Sequence, residues 1–326
     1  MTFILFLPAY GRRNILMNDN ITIKKNLLDH LGELGTVRIN EPMSSYTTFK
    51  TGGPADILVI PRHAKLAGEV IRAAAGESIP VTVIGGGSNL LVGDRGVRGL
   101  VIVLCEKFSG PGRIGIGDDG LVYADAPVLK ERFIDFVLEK GLGGVEFMTG
   151  IPGCIGGGIV MNAGTNLGSF IDVLVHVEYV DAAGQFHAME VNRGMSDYRT
   201  FRIEKGTLIL GGSFRLPISD DPHLLKQRIA DILEDRRGKH PLEFPSAGSV
   251  FKNPAGHSSW QLVDGAGLKG KSIGGAMVSE KHTNFVINRG NASSKDIKTL
   301  IESIQETVLT RYAVSLETEI RMIGEF

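Results

Sequence analysis

The feature that most constrains this sequence is the stretch PVTVIGGGSNLLV, residues 80–92, in which three glycines separate two apolar runs. The β-branched residues before the glycines predict a strand, and the apolar run after them predicts a second one. Glycines 85–87 let the main chain adopt conformations closed to other residues and let a ligand approach the amide groups. Ser88 and Asn89 add side-chain donors that suit a phosphate or pyrophosphate. Taken alone, the stretch is equally consistent with a tight turn that binds nothing.

Two further segments bring glycines and polar side chains to the edge of a Val/Ile-rich run. They are SSYTTFKTGGPADILVIP, residues 44–61, and MTGIPGCIGGGIVMNAGTNLGSF, residues 148–170. Loops of this composition that converge would suit one extended ligand. The alternative for the second segment is a Gly-rich helix packed closely in the core. Thr149, Asn162 and Thr165 are unusual residues for such a dry contact, so we favour a binding site.

Length and charge limit the classes of protein. The 326 residues, 43% of them hydrophobic, can bury a large core and predict two or three domains. A formal net charge of −1 provides no basic field, so we expect neither nucleic acid nor a membrane surface as a partner. The 43 glycines follow no G-X-Y period, which excludes a collagen-like chain, and they therefore indicate many turns that require glycine.

Cysteine and histidine usage indicates a reducing compartment and no metal. Cys105 and Cys154 lie in apolar or Gly-rich surroundings, which argues against a disulfide framework and against a zinc site. The eight histidines form no HExxH-like pattern. The apolar run 3–7 precedes Arg12 and is too short for a signal peptide, so Met17 is a candidate start. We predict a cytoplasmic protein with a disordered tail over residues 1–20.

Hydrophobic periodicity predicts an α+β fold. Helices are predicted over residues 21–35, 63–75, 127–140, 223–237 and 295–312, the last with Ser293 or Ser294 as N-cap. Strands are predicted over residues 56–60, 81–84, 90–92, 101–104, 121–124, 173–180, 186–191, 207–216 and 315–323. Residues 56–104 are expected to form one small α+β unit, a second unit begins near residue 110, and residues 217–221 are a plausible boundary.

Among the matches to G-x-G-x-x-G, residues 115–120 and 265–270 are interpreted as turns. Neither follows a strand and opens a crossover helix, the context that a dinucleotide site needs. Residues 265–272, GAGLKGKS, also fit G-x-x-x-x-G-K-[ST], but they follow a short helix instead of a strand and are not interpreted as a phosphate loop.

Several polar residues are candidates for chemistry, each with an ordinary structural alternative. Alternating charges near the C-terminus are by default the solvent-exposed face of a strand, and an isolated Arg or Ser is by default a surface or turn residue. The candidates are Tyr198, Arg199, Lys239, Ser249, Lys252, Glu317, Glu319 and Arg321. From the residues alone, the chain is a nucleotide- or cofactor-binding enzyme.

Seven ordered segments resemble the UDP-N-acetylenolpyruvylglucosamine reductase family, shorter subtype. They are TFKTGG, GGGSN, GIPG-x-IGG…MNAG, YR, AGS-x-FKNP, GLKG…GGA…S-x-x-H-x-NF and E-x-E-x-R-x-IG, which together run from Tyr46 to Gly324. The resemblance implies a two-lobed FAD-binding domain of the vanillyl-alcohol oxidase or PCMH type and a C-terminal α+β substrate domain. The implied boundaries are 21–109 for the first lobe, 110–217 for the second and 218–326 for the substrate domain.

The resemblance also implies the site residues. Non-covalent FAD is expected at Thr51, Gly52, Gly85, Gly86, Gly87, Ser88, Asn89, Leu90, Thr149, Gly150, Ile151, Pro152, Gly153, Gly156, Gly157, Asn162, Ala163 and Gly164. Substrate is expected at Tyr198, Lys239, Asn253 and Arg321. One departure is visible, because Phe201 stands where the family commonly has Ser.

The implied activity is NADPH-dependent reduction of UDP-N-acetylenolpyruvylglucosamine to UDP-N-acetylmuramate in peptidoglycan precursor synthesis. Hydride reaches the methylene carbon of the enol ether by way of flavin, and charge develops at the adjacent carboxylate. The resemblance assigns charge stabilisation to Arg199, assistance to Glu319 and proton donation to Ser249.

Other interpretations remain open at this stage. One is a sugar or alcohol oxidase of the same flavin fold, and another is a flavin- or nucleotide-binding regulator without turnover. The expected partner is a small-molecule substrate, and the chain is expected to be a monomer or a weak homo-oligomer.

Overall fold

The computed structural model describes residues 4–5 and 21–326. The predicted disordered tail, residues 1–20, lies outside the described residues except for Ile4–Leu5, which pair with a strand of the first sheet. Within the described ranges, no helix is long and apolar enough to cross a membrane.

The helices in the described part of the chain are α1 (Ile21–Leu34), α2 (Ala67–Gly76), α3 (Lys130–Glu139), α4 (Ile155–Val160), α5 (Pro222–Lys239), α6 (Ser259–Gly265) and α7 (Ser294–Tyr312). The five helices predicted from periodicity lie close to their predicted bounds, whereas α4 is the Gly-rich helix that was only the alternative for its segment. Helix α7 begins with a capping box: the Ser293 hydroxyl accepts from the Asp296 amide and the Asp296 carboxylate from the Ser293 amide, both at 3.0 Å. It ends at Ala313, which has a left-handed backbone with φ of 54°.

Strands are mostly short. Those of the described residues are β1 (Ile4–Leu5), β2 (Gly35–Pro42), β3 (Pro54–Pro61), β4 (Val81–Ile84), β5 (Leu90–Val92), β6 (Val97–Val103), β7 (Ile114–Ile116), β8 (Val122–Asp125), β9 (Gly164–Thr165), β10 (Gly168–Ser169), β11 (Leu174–Val180), β12 (Phe186–Glu190), β13 (Ser196–Asp197), β14 (Thr200–Phe201), β15 (Leu208–Phe214), β16 (Ser246–Ser249), β17 (Ser272–Ile273), β18 (Ala276–Val278), β19 (Phe285–Asn288) and β20 (Arg321–Ile323).

The chain divides into two compact units, each assembled from separate segments. Unit 1 comprises Met1–Glu41, Asp56–Gly86 and Arg98–Ala230, and unit 2 comprises Pro42–Ala55, Gly87–Val97 and Asp231–Phe326. The finer predicted division into two lobes and a substrate domain stays a prediction.

Unit 1 contains two five-stranded sheets. The first has the order β1-β4-β6-β3-β2, with β4 and β6 parallel, and the second has the order β12-β11-β15-β8-β7, with its neighbours antiparallel. Apolar faces of α1 and α2 pack on the first sheet through Leu31, Val70 and Ile71, all with no solvent exposure. Burial of such side chains stabilises the unit by roughly 1.5–3 kcal/mol each.

Unit 2 combines an antiparallel sheet, β16-β19-β18-β17, with a parallel pair, β20-β5. Helix α7 supplies the apolar stripe that periodicity predicts. Its buried members are Ile297, Leu300, Ile301, Ile304 and Val308.

The structure confirms some predictions and corrects others. Residues 80–92 do form strand, turn and strand, but β5 pairs with β20 in unit 2, so residues 56–104 are not one unit. The final strand is shorter than the predicted 315–323, because residues 317–319 bond to residues 250–252 instead of extending the β5 ladder. Strand β2 was not predicted. The G-x-G-x-x-G matches at residues 115–120 and 265–270 are turns, at the β7–β8 hairpin and after α6.

Candidate functional site

The glycine turn after β4 is built so that only glycine fits its third position. Gly87 has φ of +64°, and a Cβ added there would lie 1.8 Å from the Tyr46 carbonyl oxygen. The Thr48 amide donates to the Gly87 carbonyl at 3.2 Å. Gly85 and Gly86 belong to unit 1, and the turn residues from Gly87 onward belong to unit 2.

In unit 1, the turn contacts the end of the MTGIPG segment. A Cβ on Gly86 would lie 3.0 Å from the Gly153 Cα. Gly150 and Gly153 have φ of +69° and +105°, so the segment turns twice through left-handed backbone. The hydroxyl of Thr149, which is 1% exposed, has no hydrogen-bond partner within the described residues. Since buried hydroxyls are normally bonded, Thr149 fits a residue that binds a ligand.

The glycines of α4 have different surroundings. A Cβ on Gly156 would lie 2.7 Å from the Ala126 Cβ, and one on Gly158 would lie 2.3 Å from the Phe170 ring. These two glycines are therefore required by packing. A Cβ on Gly157 would meet nothing within 4 Å, and Gly157 is exposed. Among the α4 glycines, Gly157 alone leaves space for a ligand.

The remaining predicted cofactor residues of unit 1 mostly support the backbone. The Ile151 amide donates to the Met148 carbonyl at 3.0 Å, and the Ala163 amide to the Gly158 carbonyl at 2.8 Å. A side chain on Gly164 would clash with the Gly168 carbonyl at 2.3 Å.

Asn162 links the MNAG motif to the hairpin that carries Arg199. Its Nδ2 donates to the Asp197 carbonyl at 3.3 Å, and its Oδ1 accepts from the Ile171 amide at 3.0 Å. Asn162 itself has φ of 38°. Its side chain thereby fixes the position of strand β13.

Tyr198 and Arg199 form the two-residue turn between β13 and β14. Arg199 has φ of 56°, a conformation that costs about 1–3 kcal/mol for a non-glycine residue and is often found at functional sites. Its guanidinium lies 5.1 Å from the Tyr198 ring centre. Phe201, the departure from the family pattern, is 2% exposed and pairs with Ser196, so it belongs to the packing of the hairpin.

In unit 2, three predicted segments are joined by hydrogen bonds. The Glu319 amide donates to the Val250 carbonyl at 2.7 Å, next to Ser249, and the Lys252 amide donates to the Glu317 carbonyl at 2.9 Å. Asn89 of the glycine turn completes the arrangement, because its Nδ2 donates to the Glu319 carbonyl at 3.1 Å.

Arg321 extends this cluster with a buried cationic donor. Its amide donates to the Asn89 carbonyl at 2.9 Å, and its buried Nε has no hydrogen-bond partner in the described part of the chain. Glu317 is exposed and pairs with Lys252 at 3.1 Å, whereas Glu319 is half-buried. The alternating charges are therefore not simply a solvated strand face. A buried guanidinium donor suits a carboxylate or phosphate.

Other predicted residues of unit 2 already have structural contacts. Asn253 Oδ1 accepts from the Ser259 amide at 3.0 Å and hydroxyl at 2.9 Å, and Lys239 pairs with Asp235 at 2.6 Å on the surface of α5. Thr51 is buried, and its hydroxyl has no hydrogen-bond partner in the range that the structure describes. Leu90 is buried at the start of β5.

Sequence reasoning did not identify Asn284 as a positioning residue. Its amide side chain accepts from the Phe251 amide and donates to the Phe251 carbonyl, both at 2.9 Å. The Val250 amide also donates to the Asn284 carbonyl at 2.8 Å. Asn284 therefore fixes the segment that carries Ser249. A polar residue at the start of the apolar strand β19 was the available signal.

A histidine pair beside this segment was also missed. The His240 ring lies 5.4 Å from that of His282 and 5.0 Å from Phe285, which pairs with Ser249. Burial, together with the charges of Arg236 and His282, lowers the pKa of His240 to about 4. Burial also lowers the pKa of His282. Both rings are therefore neutral at pH 7.

Each unit offers contacts of the kind that a dinucleotide cofactor uses. In unit 1 these are the unpartnered buried hydroxyl of Thr149 and the open approach at Gly157, and in unit 2 the unpartnered buried hydroxyl of Thr51. Across residues 4–5 and 21–326, no three His, Cys, Asp or Glu residues are grouped so as to hold a metal ion.

Comparisons with known proteins agree with this geometry. Residues 55–190 match the family described as FAD binding domain, and residues 240–323 match UDP-N-acetylenolpyruvoylglucosamine reductase, C-terminal domain. The predicted fold class, an FAD-binding domain of the PCMH type followed by an α+β domain, is confirmed.

Relatives match over nearly their whole length. The UDP-N-acetylenolpyruvoylglucosamine reductase of Clostridium tetani is 41% identical over 310 residues, which cover 95% of this chain and 99% of the relative. That of Agathobacter rectalis is 41% identical over 94% of this chain and 100% of the relative. The crystal structure of the Thermus caldophilus reductase, at 31% identity, matches with a TM-score of 0.74 over 89% of this chain and 99% of that one. The chain therefore belongs to the UDP-N-acetylenolpyruvoylglucosamine reductase family of oxidoreductases.

Proposed function

We propose that this chain reduces UDP-N-acetylenolpyruvylglucosamine to UDP-N-acetylmuramate at the expense of NADPH, in the synthesis of peptidoglycan precursors. The observation that carries the proposal is the cluster in unit 2, where the segment of Ser249 is bonded to the segment of Glu319 and Arg321. Proton donation and anion binding are the chemistry that reduction of an enol ether next to a carboxylate requires.

Bound at this site, FAD would supply the hydride transfer that links NADPH to the methylene carbon of the enolpyruvyl group. We assign its binding to the predicted set of residues. These are Thr51, Gly52, residues 85–90, residues 149–153, Gly156, Gly157 and residues 162–164. Thr149 and Thr51 are the members whose unpartnered hydroxyls most directly support the assignment. We propose that attachment is non-covalent, since no His or Cys matches the linkage of covalent relatives.

Ser249 is proposed to donate the proton that completes the reduction. A serine hydroxyl is a weak acid, so its proton must be replaced through neighbouring donors or water. Ser249 pairs with Phe285, whose ring lies 5.0 Å from both His240 and His282. Because these rings are neutral at pH 7, they add no permanent charge beside this segment.

Arg199 and Glu319 are proposed to act on the charge that develops at the substrate carboxylate. The strained backbone of Arg199 supports a functional role for its side chain. Glu319 assists only if it is protonated or bridged by a donor, since two carboxylates repel. Asn89 fixes the Glu319 backbone through its hydrogen bond to the carbonyl.

The substrate diphosphate and carboxylate are proposed to contact Tyr198, Lys239, Asn253 and Arg321. Arg321 has the strongest support, because its buried Nε lacks a hydrogen-bond partner in the described chain.

We propose residues 218–326 as the substrate domain, and residues 21–109 and 110–217 as the two FAD lobes. The two free thiols support a cytoplasmic location, and a monomer or weak homo-oligomer is proposed.

The visible spectrum of the purified protein tests the proposed function. We expect a yellow protein that NADPH bleaches without oxygen, and whose colour returns when UDP-N-acetylenolpyruvylglucosamine is added. Reoxidation by oxygen with peroxide formation, and none by the sugar nucleotide, would instead identify an oxidase of the same fold. A yellow protein that NADPH does not bleach would contradict the proposal.

A further inference from the structure

Both cysteines of unit 1 lie under the glycine turn, and neither has a part in the proposed reaction. Cys105 follows strand β6 and Cys154 precedes helix α4, and both are free and buried, with 1% and 2% exposure. They are 49 positions apart in sequence, the difference between residues 154 and 105.

Contacts of the turn bring the two cysteine segments to the same part of unit 1. A Cβ built on Gly85 would lie 3.8 Å from the Leu104 carbonyl oxygen, next to Cys105. A Cβ built on Gly86 would lie 3.7 Å from the Cys154 sulfur. Two consecutive turn residues therefore contact the two cysteine segments.

Residues 126–129 hold the same two segments from the other side. The Glu106 amide donates to the Pro127 carbonyl at 2.9 Å, and the Leu129 amide donates to Glu106 Oε1 at 2.7 Å. The Ile155 amide donates to the Val128 carbonyl at 2.8 Å, and Leu129 also pairs with Cys154. This backbone arrangement fixes both cysteines.

The side chains of Cys105 and Cys154 are close enough to shift each other's pKa. The interaction with Cys154 lowers the pKa of Cys105, against the effect of burial. The same interaction, together with burial, raises the pKa of Cys154. Cys105 is thus the better nucleophile of the pair, and Cys154 keeps its proton.

We propose that Cys105 and Cys154 are an oxidation site that a peroxide converts into an intramolecular disulfide. The Cys105 sulfur attacks one peroxide oxygen, the O–O bond breaks, and a sulfenic acid and one water form. The Cys154 sulfur then attacks the Cys105 sulfur, the S–O bond breaks, and a second water leaves with the thiol proton. The two thiols lose two electrons and two protons in all, and the peroxide is reduced to two waters.

Oxidation changes the turn as well as the sulfur atoms. A disulfide fixes the two sulfurs at about 2.05 Å, well inside the separation of two unbonded sulfur atoms. Gly86 already lies so close to Gly153 that a Cβ on Gly86 would be 3.0 Å from the Gly153 Cα, so the turn has little room to absorb the contraction. Oxidation should therefore lower the affinity for flavin, an expectation that rests on the proposed function.

The test is peptide mapping of the purified full-length protein after treatment with hydrogen peroxide. After alkylation of remaining thiols under denaturing, non-reducing conditions, we expect a peptide pair joined through Cys105 and Cys154, which dithiothreitol separates. Cys105→Ser and Cys154→Ser, with Cys→Ala variants as replacements if either fails to fold, should give no such pair. This readout does not depend on reductase activity, so it can succeed or fail separately from the proposed function.

Flavin retention after peroxide is the second measurement. Wild-type protein should release flavin on peroxide treatment and regain it after dithiothreitol, whereas each Cys→Ser variant should retain the flavin that it held before treatment. Unchanged thiols in the folded wild-type protein, or disulfides only between molecules, would overturn the proposal. Irreversible oxidation of Cys105 with Cys154 still a thiol would overturn it too.

Discussion

The glycine-lined segments of unit 1 and the charged segments of unit 2 present different chemical groups to a ligand. In unit 1, residues 149–164 present backbone, small side chains and a buried hydroxyl, with their shape set by left-handed glycines. In unit 2, Ser249, Glu319 and Arg321 present side chains that can exchange protons or carry charge. The contrast is between groups suited to holding a cofactor that brings its own chemistry and side chains that can supply protons and charge.

The largest effect is expected in unit 2. Ser249→Ala should reduce turnover by roughly 10³-fold or more, toward the upper end of what a general acid contributes, because the proton donor is lost. Flavin reduction by NADPH should persist, since it does not use this proton. Stopped-flow absorbance separates the two half-reactions.

Ser246→Ala, at the other end of β16, is the matched control and should have little effect. Turnover of Ser249→Ala within about tenfold of wild type would remove Ser249 from the mechanism and weaken the contrast between the units.

The next effect distinguishes, within α4 of unit 1, a glycine that packing requires from a glycine that faces open space. Gly158→Ala should destabilise the protein by about 1–3 kcal/mol, because the new methyl group would overlap the Phe170 ring. Gly157→Ala should stabilise the flavin-free protein by about 0.5–1 kcal/mol, since its Cβ meets nothing within 4 Å and alanine favours a helix. Urea unfolding measures both. Equal stabilities would mean that the packing around α4 differs from that described.

A smaller effect is expected at Thr149. Thr149→Val should weaken FAD binding by up to about tenfold, the value of one hydrogen bond, without lowering the stability of the flavin-free protein. The reason is that its hydroxyl bonds to no other described residue.

Thr283→Val is the control in unit 2, because its hydroxyl donates to the Trp260 carbonyl at 2.6 Å. That variant should lose stability and leave FAD affinity unchanged. Isothermal titration measures the FAD affinity of both variants, and thermal melts measure their stability. A Thr149→Val protein that melts much lower than wild type would contradict the ligand role of Thr149.

The smallest effect concerns pH. The pKa of His240 is lowered from 6.5 to about 4, so between these values the unfolded chain binds a proton that the folded chain does not. Stability should therefore fall as pH drops from 6.5 to 4. In His240→Phe this fall should be smaller. Melting temperatures of both proteins at pH 7.5 and 5 measure the difference, and identical falls would show that His240 does not contribute.

Local features were predictable from the sequence, whereas the pairings between distant segments were not. Helix α7 followed from its apolar spacing and the Ser293 cap, and the β11–β12 hairpin followed from its turn residues. The bond from Asn162 to Asp197 and the left-handed backbone of Arg199 have no local signal, because they depend on which strands meet. The role of Asn284 was hidden for the same reason. Family resemblance supplied the candidate residues, and the structure supplied their neighbours.

The parallel pairing of β5 with β20 has a consequence for synthesis of the protein. Asn89 and Glu319, bonded next to this ladder, are 230 positions apart. On the ribosome, the strand that follows the glycine turn must wait with unpaired backbone groups until residue 323 has emerged, and closing so long a loop costs entropy. Completion of this part of the proposed cofactor site is thus expected to be a late event, which follows the emergence of residue 323.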